Sequence, residues 1–372
     1  MNFSLPMKAS LGPALVGHAF QQTALMAMLP LIADRLGLSQ SAVGTVVAFG
    51  MAAAALAIPL IGVFGNSDLT RPSLLVMILC SLGLAALLLL PAPPALALLA
   101  LLVLRLSQGL AAATLLVHAQ IGSLARRGEG RAQLARTQSF GGMGRAASAI
   151  AVGPLAALHI VLPILPAIAG AMWSLFSERP RRTEAQPRRA GLSRPDFHAL
   201  ILPLTVQASL GVTHVSLAPL LAAQPGTSNL TAASIAGLSL AAANLGLVVA
   251  QRYLTAKAGP AALRLAALAG GAALLVVAAL PLPAIVVGLS AVIGAASAML
   301  LTCNLFTVLS AAPEHGFSRA AWNATASTAG LALGALAGSA GLHAGPSFSL
   351  TLSAALMASV ALMLTSTRKT AT

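Results

Sequence analysis

Apolar runs of about 20 residues recur along the chain, broken by short stretches that carry charge or proline. A run of that length crosses a bilayer as a helix, because hydrocarbon offers its backbone groups no other partner. Breaking the chain at its interruptions predicts about twelve such spans. Six precede residue 177, at 11–33, 41–64, 73–90, 95–120, 138–158 and 159–176. Six follow residue 197, at 198–222, 231–250, 261–280, 283–309, 320–342 and 346–364. The first run follows Lys8 in the manner of a signal peptide, yet its length is that of a span. The longest interruption, 177–197, holds Arg179, Arg181, Arg182, Arg188, Arg189 and Arg194 among Pro, Gly and Ser, and reads as a solvated linker.

Composition agrees with the spans. Hydrophobic residues make up 58% of the chain and charged residues 8%, with mean hydropathy +0.91, which places it among polytopic membrane proteins. A net charge of +14 on a soluble domain would suggest nucleic acid. Here the charge sits between spans, without interleaved aromatic residues, so it speaks of orientation instead. Every loop on one side carries Lys or Arg, from Lys8 through the linker to Lys369, whereas the other side has only Arg35. Both termini and the linker are therefore expected in the cytoplasm. The excess of Arg over Lys and the dominance of Ala and Leu suggest a bacterium with a GC-rich genome, hence its inner membrane. Cys80 and Cys303 both lie inside apolar runs, so the sequence predicts neither a disulfide framework nor a metal site, and no cofactor.

The chain also resembles itself. Leu29-Pro30-Leu31-Ile32-Ala33 recurs as Ala218-Pro219-Leu220-Leu221-Ala222, Pro72 recurs as Pro260, and Pro91-Ala92-Pro93 as Pro281-Leu282-Pro283, each about 189 residues later. Two copies of a six-helix unit follow: an N-terminal bundle at 1–176, the basic linker at 177–197 and a C-terminal bundle at 198–372. Parallel repeats of this kind let one class of secondary transporter place a midplane site between halves that rock.

Several stretches resemble those of the major facilitator superfamily. The run from Leu29 to Gly44 looks like that family's junction between its first two helices, and 62–72 resembles its signature loop, with Gly62 and Arg71 in place, Asn66 where the family has Asp, and Asp68 as the local carboxylate. Arg105, Gln108 and Gly109 are similar to the family's Arg-x-x-Gln-Gly motif, and Gly153-Pro154 resembles the motif associated with exporters. The resemblance implies an all-α membrane protein of twelve transmembrane helices, in two six-helix pseudo-repeat bundles around a central cavity. It implies that the first, fourth, seventh and tenth spans line that cavity, and that Gly62, Asp68, Arg71, Gly153 and Pro154 belong to conformational motifs.

Polar side chains inside hydrocarbon are costly, so their positions mark candidate chemistry. His18, Gln21 and Gln22 share a face of the first span, and Arg105 and Gln108 share one in the fourth. Gln207 and His214 stand in the seventh span and Asn304 in the tenth. All seven Asp and Glu lie at span ends or in loops, so Arg105 and Arg145 have no carboxylate at membrane depth. Amides and helix carbonyls satisfy them, or an anionic substrate does. The expected substrate-binding set is Gln21, Gln22, Arg105, Gln108, Arg145, Gln207, His214 and Asn304. His18 and Asp34 are the candidates for proton coupling, His18 because its unperturbed pKa lies near neutrality. The expected function is proton-coupled export of a small amphipathic or anionic compound, such as a carboxylate siderophore, by a monomer in the bilayer. Multidrug efflux of hydrophobic compounds is the alternative. A membrane-embedded transferase would need a catalytic carboxylate or a His and Asp constellation at one interface. The sequence displays neither, so a transporter is expected and not an enzyme. A non-transporting scaffold is the remaining alternative.

Overall fold

A computed structural model describes residues 11–64, 69–124, 130–177, 197–310 and 316–366. The linker arginines, Asp68 and the carboxylates other than Asp34 lie outside them. The first span is broken in two, α1 (Gly12–Ala27) and α2 (Leu29–Leu36), which bend by 72° around Met28. Pro30 has no N–H for the carbonyl one turn back, and its ring crowds that carbonyl, so a helix continuing straight through this point is disfavoured. The expected continuous span 11–33 is corrected accordingly.

The remaining helices are α3 (Gln40–Phe64), α4 (Thr70–Leu89), α5 (Pro94–Leu124), α6 (Gly130–Leu158), α7 (Leu165–Ser177), α8 (Phe197–Ala222), α9 (Asn229–Val249), α10 (Pro260–Ala279), α11 (Pro283–Ser310), α12 (Gly316–Gly341) and α13 (Pro346–Ser366). Most begin and end within a few residues of the sequence expectation, because charged or proline-containing breaks end the apolar runs. α6 starts eight residues earlier than expected, since 130–138 is too polar to register as a span. The expected span 159–176 begins instead with a 3₁₀ turn at Leu162–Ile164, leaving α7 short. Eight of the described helices are individually long and apolar enough to cross a membrane, and the bent pair makes a ninth. α6, α12 and α7 complete the twelve crossings.

The packing repeats between the two halves. α1 lies against α6 and α7, α3 against α5, and α4 against α5 and α7; likewise α8 lies against α12 and α13, α9 against α11, and α10 against α11 and α13. Between halves, α3 meets α12 and α6 meets α9, which are again equivalent pairs. Glycine makes the closest crossings possible. A Cβ on Gly109 would strike the carbonyl oxygen of Gly50, and one on Gly334 that of Ala208, so α3 and α5, and α8 and α12, touch backbone to backbone.

The contacts that join the halves gather at the end opposite the linker. There Ser41 Oγ donates to the Ser339 carbonyl over 2.6 Å. A Cβ on Gly44 would lie 2.5 Å from Ser339 Oγ. A Cβ on Gly153 would lie 2.6 Å from Ser234 Oγ, and one on Gly237 2.8 Å from the Ala149 carbonyl. α2 adds to this seal, crossing from its own half to pack on α8 and α9.

Candidate functional site

Most of the polar residues singled out in the sequence fall into two groups, one sealed within the first half and one on the seam between halves. The sealed group begins with Arg105, 2% exposed, about 17 Å along α5 from its first residue. Its Nη1 donates to Gln108 Oε1, one turn further on the same helix. Gln108 Nε2 donates in turn to Gln21 Oε1 of α1 and, over 3.2 Å, to Ser81 Oγ of α4. Ser81 Oγ donates to Gln21 Oε1 over 3.1 Å. Gln21 is 0% and Gln108 1% exposed. Three helices are thus tied by amides, which answers part of the guanidinium's demand without a carboxylate. His18 and Cys80 both lie within electrostatic reach of Arg105.

The second group faces the seam. α6 and α9 run antiparallel, pairing Gly153 with Ser234 and Ala149 with Gly237. Arg145 is one turn from Ala149 on α6, toward the linker end, and its side chain is exposed. The guanidinium runs back along its own helix, Nη1 lying 4.0 Å from where a Cβ of Gly141 would sit. It reaches His214 of α8 electrostatically, across the boundary between halves. It makes no hydrogen bond to any described residue. His214, Gln207, His18 and Gln22 are half-buried, so this face keeps access that the Arg105 cluster lacks.

Other expected residues lie apart from both groups. Asn304 Nδ2 donates to the Ala199 carbonyl over 3.2 Å and lies 3.4 Å from Asn323 Oδ1, tying α11 to α8 and α12 near the linker end. Asp34 is exposed at the far end of α2. Beside it Arg35 donates through Nε to the Leu88 carbonyl over 2.9 Å and through Nη2 to that of Leu89 over 3.1 Å, capping α4. Gly62 falls in α3 and Arg71 is exposed in the first turn of α4, while Asp68 is outside the described residues. Gly153 is buried on the seam and Pro154, inside α6, is exposed.

Three participants escaped sequence reasoning. Ser81 joins the Arg105 cluster through Gln21, 60 residues away, and Gln108, 27 residues away, and a lone serine in an apolar helix carries no signal of that. Ser41 and His343 meet across the halves at 3.0 Å. Because the Ser41 proton goes to the Ser339 carbonyl, His343 Nε2 donates to Ser41 Oγ.

A groove of about 610 Å³ runs between α3 and α5, lined by Phe49, Ala52, Leu56, Leu106, Leu110 and Thr114. None of the expected binding residues lines it. No trio of His, Cys, Asp or Glu gathers around a possible metal among the described residues.

The sequence model described as Major Facilitator Superfamily matches residues 11–335. Among solved structures, the chain is similar to a bacterial homolog of the human lysosomal transporter Spinster, captured in an inward-facing and occupied conformation. The identity is 15%, over 96% of this chain and 93% of that one, with a TM-score of 0.66. It is similar also to a mutant of the nucleoside transporter NupG, at 14% identity over 96% of this chain and 99% of that one, with a TM-score of 0.68. No curated protein matched the sequence.

Proposed function

The chain belongs to the Major Facilitator Superfamily and is therefore a secondary transporter; from that premise we propose that it exports a small anionic or amphipathic compound across a bacterial inner membrane by alternating access. The observation that carries the anionic cargo is Arg145, a permanent cation on the seam with no hydrogen bond to a described residue and with His214 of the other half in electrostatic reach. An acid group on the cargo supplies the charge that the spans themselves lack. His214, Gln22 and Gln207 offer further polar contacts on the accessible face, and the apolar surfaces around them take the remainder of an amphipathic molecule.

With the linker in the cytoplasm, as the positive loops support, the halves are joined at the outer end and the seam opens inward. A cargo loaded from the cytoplasm would meet Arg145 in this conformation. Protons are the proposed energy source. His18 of α1 is the proposed carrier, and Asp34 stands at the outer mouth. The apolar groove between α3 and α5 favours a second reading, efflux of hydrophobic compounds, because Thr114 is its one polar contributor.

Everted membrane vesicles separate the two readings. Replacing Arg145 by Gln is expected to lower uptake of a carboxylate probe such as citrate by about tenfold or more, the worth of one charge-assisted pair, while uptake of a neutral lipophilic dye is unchanged. Equal loss of both substrates, or of neither, rejects the anionic reading. Replacing His18 by Phe is expected to abolish accumulation driven by a pH gradient while leaving downhill counterflow. Retained gradient-driven accumulation removes His18 as the carrier.

A further inference from the structure

The sealed cluster in the first half has more donors than acceptors. Gln21 Oε1 already receives two hydrogen bonds, from Gln108 Nε2 and Ser81 Oγ, and Gln108 Oε1 receives that of Arg105 Nη1. Arg105 Nε and Gln21 Nε2, which can only donate, remain buried with nothing opposite them, as does His18 Nδ1, whose role is set by its tautomer. Turning either amide does not help. A flipped Gln108 would aim its NH₂ at the Arg105 guanidinium, and a flipped Gln21 would aim its own at Gln108 Nε2. Buried donors are almost always satisfied in native proteins, so the missing partner is an acceptor.

It must also carry charge. Arg105 cannot shed its proton, and α1, α3, α4 and α5, which surround it, contain no Asp or Glu. Burying a lone guanidinium among amides leaves most of its desolvation cost unanswered. Water would accept hydrogen bonds without cancelling the charge.

We propose that the cluster of His18, Gln21, Ser81, Arg105 and Gln108 holds one small inorganic anion of halide size, taken up by Arg105 Nε–H and the Gln21 amide with His18 at the rim. The anion is the resident counter-charge of the first half. It is distinct from the cargo of the seam, since Arg105 and Gln21 are closed off while Arg145 is exposed. It ties α1 to α5 in every step of the transport cycle that keeps the first half rigid. The proposal does not depend on the cargo being anionic.

Thermal unfolding of the purified full-length protein in detergent tests it, with chloride or bromide titrated against gluconate at constant ionic strength. The expected result is a saturable rise of the unfolding temperature by several degrees with either halide, and the same rise in Arg145→Gln. Gln21→Met, which keeps the volume and removes the donor, is expected to lose the rise, as is Arg105→Leu. Should Arg105→Leu fail to fold, Gln21→Met alone decides. A rise that is equal in gluconate, or one that persists undiminished in Gln21→Met, overturns the site and leaves an adventitious ion only. Competition between citrate and halide in the wild type would assign the cluster to the acid group of the cargo and overturn the resident ion. An anomalous peak from bromide within hydrogen-bond distance of Arg105 Nε would place the ion directly.

Discussion

Gly334 of α12 and Arg145 of α6 show two ways in which one side chain matters in this molecule. Gly334 exists to leave room, for any Cβ there meets the carbonyl oxygen of Ala208 on α8. Gly334→Val is expected to destabilise by about 1–3 kcal/mol through overpacking, seen as a lower unfolding temperature in detergent. Arg145 holds nothing in place, so Arg145→Gln is expected to leave stability within about 1 kcal/mol of wild type, read from the unfolding temperature, even as it lowers anion transport. A large loss of stability in that variant would mean that the guanidinium is structural. Gly330, Gly334 and Gly338 recur at a spacing of four, the pattern of a close helix crossing. The polar pairs on α1 and α5 were equally visible by their helical spacing. What could not be read was which arginine is closed off, because burial depends on neighbours such as Ser81 that no local pattern links to Arg105.

At the scale of elements, the first span shows how one local signal is resolved differently by context. Leu29-Pro30-Leu31 and Ala218-Pro219-Leu220 are repeats, yet the chain breaks at the first and α8 runs through the second. Only one turn follows Pro219, whereas α2 continues to Leu36 and finds its own support. Leu29, Ile32, Ala33 and Leu36 are buried, and Arg35 grips the last carbonyls of α4. Arg35→Ala is expected to cost about 1 kcal/mol of local stability and to free α2 from α8 and α9. The check is labelling of Ile32→Cys by a membrane-impermeant maleimide, which should run faster with the Arg35 change than without it. Equal rates would show that packing alone holds α2.

For the whole molecule, the seam closes at one end by small residues and hydrogen bonds. Gly44, Gly153 and Gly237 permit the approach, and Ser41 with His343 spans it. A transporter that alternates must part these surfaces. A cysteine pair at Ser41 and His343, joined by a short thiol-reactive cross-linker, is therefore expected to stop transport of any substrate and to release it on reduction. Full transport with the link intact would exclude opening at this end.

The amino-acid sequence by itself determined the number of crossings, the doubling into two six-helix units and the absence of acid at membrane depth. These follow from the one demand that hydrocarbon makes on every residue in turn, that backbone groups be satisfied within the helix and side chains be apolar unless needed. Tertiary structure alone decided that Arg105 is sealed and Arg145 accessible, that the first span bends over the other half, and that Ser41 meets the end of α12. Those outcomes join residues 27 to 302 positions apart, and the energies that select them come from packing and charge between helices, where a linear period leaves no trace.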